Sequence, residues 1–389
     1  MGLCAMKLFV IAGEASGDKL GGALMEGLAK LAPGIEWQGI GGPEMAAQGL
    51  DSRIAMEELS VMGLMEVVPK YRHLKRRIAE TAQAVVEMRP DALITIDSPD
   101  FCLRVARLAR EQHPDLKVVH YVAPSVWAWR PGRAAKMAQV VDHVLAVLPF
   151  EPPYMQAAGM SCDFVGHPVV AEQRASAAEA AAFRETHMIG PDQPLALCLP
   201  GSRAGEVKRL GKRFDEALMQ LRDREPGLRV VLPTVRGVAP MVREMSARWP
   251  IAPIVVEQPA DKRAAFAAAN VALAASGTVS LELAANRVPM VIAYDASFLT
   301  WHLIWNLMMK VDTVTLVNLV SDTRAIPEFL GPDCKPRAIS RKLLQVLEQD
   351  DARAEQFAAM ELTMERLGEG GDPPGLRAAR SVLEFLQKT

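Results

Sequence analysis

Short apolar runs rich in β-branched residues alternate with longer amphipathic stretches along most of this chain. Leu8-Phe9-Val10-Ile11-Ala12 stops at Gly13 and is followed by Leu20, Leu24, Leu28 and Leu31, spaced for one face of a helix. Further strands are predicted over 92–96, 117–122 and 143–147, and then over 195–199, 229–232, 254–256, 271–275 and 290–294. Runs that are apolar throughout, each leading into a helical pattern, belong to parallel βαβ units covered on both faces. Between the two series, residues 168–194 are rich in Ala and Glu, bracketed by prolines and free of strand runs. This stretch predicts a join between domains that includes one surface helix. A second break, Gly368-Glu369-Gly370-Gly371-Asp372-Pro373-Pro374-Gly375, precedes a last helix carrying Leu376, Ala379, Val382, Leu383 and Leu386. The expected fold is α/β, with two doubly wound halves at 1–170 and 171–367. A closing helix at 368–389 packs on its own first domain or on a partner's. Ligands are expected in a cleft between the halves, beyond the carboxyl ends of the strands.

Composition narrows the function. The chain has 389 residues, half of them hydrophobic and 23% charged, which excludes a disordered protein. Its formal net charge of -2 argues against a dedicated nucleic-acid binder, which needs positive charge to displace counterions. The five cysteines are scattered and odd in number, with no CxxC pair, so they read as buried thiols in a reducing compartment. No HxH or HxxxH spacing occurs, and neither a secretory h-region nor an apolar run of membrane-spanning length is present. The expected protein is cytoplasmic, and soluble or attached to a membrane surface.

Candidate chemistry falls at strand ends. In the first half, Gly13-Glu14-Ala15-Ser16-Gly17-Asp18 follows the first strand. Its glycine spacing is not GxGxxG, and Glu14 and Asp18 are ill placed for a pyrophosphate. Two readings stand: a tight turn with Asp18 as a helix cap, or a polar loop of Glu14, Ser16, Gly17 and Asp18 that binds an acceptor. After the strand at 92–96 come Asp97-Ser98-Pro99-Asp100. Asp100 suits a helix cap, and Asp97 is the stronger candidate for a general base. Tyr121 to Arg130 contains Trp127 and Trp129, residues that stack on sugars, meet lipid or fill an interface between domains.

The second half carries two anion-binding patterns. Gly201-Ser202-Arg203 ends the strand at 195–199, with Glu206 following. Gly201 admits close backbone approach, Ser202 donates a hydrogen bond and Arg203 grips phosphate. Ser276-Gly277-Thr278 opens a helix four residues before Glu282, which suits a ribose diol. Each loop alone fits ordinary turn chemistry; both at strand ends of one half favour a nucleoside-diphosphate site. No Walker Lys-Ser/Thr follows either loop, which disfavours an ATPase.

Two segments bear on membranes. The apolar run at 61–68 leads into Lys70, Arg72, His73, Lys75, Arg76 and Arg77, a composition suited to anionic lipid. Phe298 to Met309 is a second apolar, aromatic stretch that meets lipid or fills a core. For both, a core helix with a solvated charged face is the plainer alternative.

The ordered motifs Gly13 to Asp18, Tyr121 to Arg130, Leu148-Pro149-Phe150-Glu151, Gly166-His167-Pro168, Leu199 to Val207 and Ala275 to Thr278 resemble those of the bacterial lipid-A-disaccharide synthase family. The resemblance implies a GT-B fold and an inverting glycosyl transfer that uses no metal and no cofactor. It implies a UDP-linked diacylglucosamine donor and, as acceptor, diacylglucosamine 1-phosphate, or lipid X. It puts Gly201, Ser202, Arg203, Ser276, Gly277, Thr278 and Glu282 on the donor side and makes Asp97 the base. It adds Asn318, a polar position that the residue pattern alone does not single out. Cys102 departs from the family, which often has Asn after Asp-Phe. Peripheral attachment to the inner face of the inner membrane follows from the substrates, and a homodimer is left open. The alternatives are another GT-B UDP-sugar enzyme, such as a UDP-N-acetylglucosamine epimerase or a lipid-linked glycosyltransferase, or a non-catalytic membrane adaptor. The first lacks the Gly13 and Tyr121 motifs, and the second needs neither phosphate loop.

Overall fold

The computed structural model of the chain describes residues 6–59, 64–295 and 311–388, without the side chains of residues 57 and 64–71. The chain divides into two units. The first runs to Ala171 and resumes at Gly370; the second is Glu172–Glu369.

In the first unit, β1 (Lys7–Ala12), β2 (Glu36–Ile40), β3 (Ala92–Ile96), β4 (Val118–Tyr121), β5 (His143–Ala146) and β6 (Ser161–Phe164) form one parallel sheet in the order β2-β1-β3-β4-β5-β6. In the second, β7 (Leu195–Leu199), β8 (Arg229–Pro233), β9 (Ile254–Val256), β10 (Val271–Ala274), β11 (Met290–Tyr294) and β12 (Glu328–Leu330) are parallel in the order β12-β11-β10-β7-β8-β9. Every residue of β3, β4, β5, β7 and β10 is buried, as helices on both faces require.

All nine strands expected from apolar runs are present, most within a residue of their expected ends. The three not anticipated, β2, β6 and β12, are sheet edges. An edge strand is covered on fewer sides and needs no continuous apolar run, so Glu36-Trp37-Gln38-Gly39-Ile40 and Ser161-Cys162-Asp163-Phe164 carry little signal. The helix expected in the 168–194 stretch is Ala177–Thr186, closed at its start by a Ser176–Glu179 capping box and burying Ala180 and Phe183. The four described cysteines, Cys102, Cys162, Cys198 and Cys334, are buried and free.

The strand orders fix where each unit can bind. β1 has β2 on one side and β3 on the other, so successive connections leave it in opposite directions. β7 and β10 form the equivalent pair in the second unit. A crevice opens beyond the carboxyl ends of such a pair. In the first unit the two loops there touch: a Cβ on Gly13 would lie 2.6 Å from the Ser98 hydroxyl.

The last helix, Pro374–Lys388, belongs to the first unit. It lies so close to the helix Ala15–Leu31 that a Cβ on Gly375 would come 2.4 Å from the Ala23 carbonyl oxygen, and one on Gly27 2.6 Å from that of Gly375. Polar contacts set its register. Ser381 Oγ bonds to His143 Nε2 at 2.8 Å and to Asp163 at 2.7 Å, and Phe385 stacks on His143 with centroids 5.0 Å apart.

Gly375→Ala should therefore force two helix backbones apart, at about 1–3 kcal/mol, the usual cost of overpacking. Gly132→Ala, where a Cβ meets open space, should change stability by less than ~0.5 kcal/mol. Urea unfolding of the two variants, followed by circular dichroism, measures the difference.

Candidate functional site

At the β7–β10 switch point of the second unit lies a cavity of about 350 Å³. Gly201, Ser202, Arg203 and Glu206 line it from the loop after β7, and Ser276, Gly277, Thr278 and Glu282 from the loop after β10. Register explains the meeting, because Ala274 pairs with Leu199 and both loops leave the sheet at one level. The structure thus brings together all seven residues expected on the donor side.

Local geometry fits anion binding. Gly201 has φ +117°, and a Cβ there would strike Glu206 at 2.5 Å, so only glycine allows this turn. Glu206 receives the Arg203 N–H at 3.4 Å and its guanidinium at 3.3 Å. That holds the loop while the Arg203 side chain stays largely exposed. Gly277 has φ +144° with open space where a Cβ would stand, which leaves its backbone approachable. The Ser276 hydroxyl donates to the Val314 carbonyl at 3.2 Å.

Asn318 does not line the cavity. It is buried; its amide donates to Ile326 O at 2.9 Å and Thr313 Oγ1 at 3.2 Å and accepts from Ile326 N at 3.0 Å. Glu328 receives Thr313 Oγ1, Val314 N and Thr315 N at 2.6–3.0 Å. These two side chains fix the 313–315 loop against Ser276, so Asn318 reaches the cavity through that loop.

Sequence reasoning missed two polar lining residues, Thr234 and Lys262. Thr234, beyond β8, is buried, and its hydroxyl has no hydrogen-bond partner among the described residues. Lys262 stands in the helix Pro259–Ala268 and holds Glu282 at 2.5 Å. It was hidden as one basic residue in an unremarkable helical stretch, although i, i+20 pairing across adjacent βα units brings it to Glu282.

In the first unit, backbone strain gathers at the carboxyl ends of β3 and β4. Asp97 (φ +51°), Ser98 (φ +42°) and Val122 (φ +82°) are non-glycine residues in left-handed conformations. Each costs on the order of 1–3 kcal/mol, and such residues cluster where function demands them. Asp97 is half-buried at the mouth of the β1–β3 switch point. Deep burial, and after it the negative charge of Asp97, push the Cys102 thiol up, so Cys102 is an inert neighbour of the carboxylate. Asp100 is exposed in the first turn of the helix Pro99–Gln112, whose N-cap is Ser98.

Glu14 is the half-buried N-cap of the helix Ala15–Leu31; Ser16 is exposed in its first turn. Gly17 faces β3, where a Cβ would sit 3.4 Å from the Ile96 carbonyl oxygen. Asp18 is buried and caps a helix, though not its own. Its carboxylate receives Gly42 N at 2.8 Å, Glu44 N at 2.9 Å and Met45 N at 3.1 Å, at the start of the helix Pro43–Ala46.

Trp127 packs edge-on against Phe150, at 5.2 Å between centroids, and donates its indole N–H to Glu151 at 3.3 Å. Glu151 also receives Val147 N at 3.2 Å and Leu148 N at 3.0 Å. Trp129 lies under the Arg130 guanidinium, 4.4 Å from the ring centre.

The basic run lies on the helix Leu64–Met88. Arg72 and Lys75 are exposed and form no ion pair among the described residues; Arg76 is exposed, 3.4 Å from Glu80. Arg77 is committed to Glu58 at 2.7 Å and Glu80 at 2.9 Å. Residues 61–63 and 298–309, and the side chains of Leu64 to Val68 and Lys70, lie outside the described residues. No described helix is long and apolar enough to cross a membrane.

Two Rossmann-like parallel sheets, the second with paired glycine-containing loops around a cavity at its switch point, define a protein of the GT-B fold class. A UDP-GlcNAc 2-epimerase from Neisseria meningitidis, solved with UDP-GlcNAc bound, superposes with a TM-score of 0.67 at 11% identity over 99% of this chain and 100% of that one. At that identity the likeness concerns the fold. The family model for lipid-A-disaccharide synthetase matches residues 8–371. Lipid-A-disaccharide synthases of Ruegeria pomeroyi and Rhodospirillum centenum are 60% and 47% identical, each over 98% of this chain and 96% and 95% of their own lengths. The chain belongs to the lipid-A-disaccharide synthase family.

Glu151 supplies a prediction. Burial outweighs its three donors and raises the carboxyl to about 7 from an ordinary 4.5. The folded state then holds a proton that the unfolded state releases near 4.5, so stability falls as pH rises from about 4.5 to 7. The loss from this group is roughly 3 kcal/mol at 1.36 kcal/mol per pKa unit. Glu151→Gln should flatten that slope in urea titrations across the window; an unchanged slope would remove Glu151 as its source.

Proposed function

We propose that this chain is an inverting glycosyltransferase that joins UDP-2,3-diacylglucosamine to 2,3-diacylglucosamine 1-phosphate, releasing UDP and the lipid A disaccharide 1-phosphate. Family membership supports the substrate pair. The observation that carries the chemistry is the meeting of the Gly201 and Ser276 loops with Glu282 around one cavity. In this reading the diphosphate rests on Ser202, Arg203 and the loop from Ser276 to Thr278, and Glu282 takes the ribose diol.

The acceptor's primary hydroxyl is a poor nucleophile. Asp97, on the first unit, takes its proton as the oxygen attacks the anomeric carbon from the face opposite UDP. The bond to the diphosphate breaks, and its electron pair leaves with UDP. Arg203 and the oriented N–H groups at Gly277 and Thr278 offset the charge that develops there. The strained backbone at Asp97 and Ser98 holds the carboxylate in place and supports this role. Glu14, Ser16 and Gly17 border the same switch point and belong to the acceptor side, with Asp18 shaping the neighbouring loop.

Acylated substrates reside in a membrane, and in this reading the protein works on the inner face of the inner membrane. Arg72, Lys75 and Arg76 are the basic residues suited to anionic headgroups, because Arg77 already serves Glu58 and Glu80. Lys70 belongs to the same run.

Asp97→Asn should abolish UDP release in the presence of both acylated sugars while leaving UDP affinity within about twofold of wild type. Normal turnover by that variant would sink the base assignment. Replacing Arg72, Lys75 and Arg76 by Glu should reduce co-sedimentation with anionic vesicles, an effect that 0.5 M salt should mimic. Equal sedimentation of variant and wild type would leave the run as a solvated helix face.

A further inference from the structure

The charges lining the donor cavity cancel. Its wall carries two cations, Arg203 and Lys262, and two carboxylates, Glu206 and Glu282, and each cation is paired with a carboxylate of its own. A nucleoside diphosphate brings at least two negative charges into this space. Backbone N–H groups meet part of that charge, and the rest calls for a cation that can leave its present partner.

Lys262 is placed to do so. Its ammonium lies 2.5 Å from Glu282, and both side chains are about one-third exposed, on the cavity wall. Lys262 sits in the first turn of the helix Pro259–Ala268, where the helix dipole disfavours a cation and an anionic partner offsets the cost. Glu282 is the carboxylate proposed to take the ribose diol, so the group that holds the lysine would also receive the nucleoside. A lysine is a compact charge on a flexible stem, able to change partners within one cavity. The other plain role, a static strut between two helices, fits poorly with a partly exposed pair, which adds little stability.

We propose that Lys262 is a diphosphate-binding residue whose release is coupled to diol recognition. The ribose takes Glu282, and Lys262 turns to the diphosphate, where it supports the departing UDP beside Arg203. This inference rests on the nucleotide reading of the cavity and adds a residue and an order of events to it.

The test is calorimetric titration of the full chain with UDP and with uridine, which has the diol and no phosphate. In Lys262→Met, UDP binding should weaken at least tenfold, and uridine binding should stay unchanged or tighten because Glu282 is freed. Lys262→Arg should recover most of the UDP affinity. Equal losses for UDP and uridine would show a strut and overturn the proposal, as would unchanged binding of both. Wild-type protein that binds UDP while Lys262→Met binds it equally well overturns this inference alone. Wild-type protein that does not bind UDP overturns the nucleotide reading together with it. Circular dichroism of each variant checks that the fold is kept, and Lys262→Gln provides a second neutral replacement.

Discussion

The pairing of β7 with β10 is the constraint on which the rest of the second unit depends. Its register sets Ala274 against Leu199, so the chain leaves both strands at one height and two glycine-containing loops face a common space. Neither loop is a binding site by itself. Side by side, they present hydroxyl groups, a guanidinium and a carboxylate to one cavity. The supporting contacts follow: Glu206 pins the first loop, and Glu328 with Asn318 pins the segment on which Ser276 leans. The β1–β3 pair plays the same part in the first unit, where Gly13 and Ser98 are in contact.

Strain and charge are distributed unequally between the two switch points. The first unit holds Asp97, Ser98 and Val122 in conformations that L-residues seldom adopt, and it does so beside a carboxylate. The second uses glycine for its sharp turns and concentrates ionic pairs. The proposed chemistry asks for that division, with a proton acceptor fixed on one unit and a flexible, charged group received by the other. Positions that need fixed geometry carry strain; positions that need adaptable charge carry exposed pairs.

Much of this was legible in the sequence because buried parallel strands write continuous apolar runs, and because glycine, serine and arginine at the end of such a run have few other uses together. The strand end at Asp97 and the meeting of the two glycine-containing loops were readable on that basis. The edge strands β2, β6 and β12 were not, since partial cover leaves no pattern. Lys262 was not, because its meaning depends on Glu282 lying across the cavity, which a linear reading cannot see. Asp18 was readable as a cap, but its target, the helix Pro43–Ala46, lies a whole βα unit further along. Asn318 entered only through resemblance, and the structure gives it an architectural context in place of a contact with the cavity.

The return of Pro374–Lys388 to the first unit makes the second unit an insertion within the first. On the ribosome, the strands of the first unit emerge early, yet the helix that covers Gly27 and stacks on His143 arrives only after Glu172–Glu369 has been synthesised. At about 5–20 residues per second that interval is roughly 10–40 s. By its end the second unit has all its strands and helices, while the first has waited with the face of its opening helix uncovered. A message truncated just past Gly370 would therefore injure the part of the protein made first and spare the part made last.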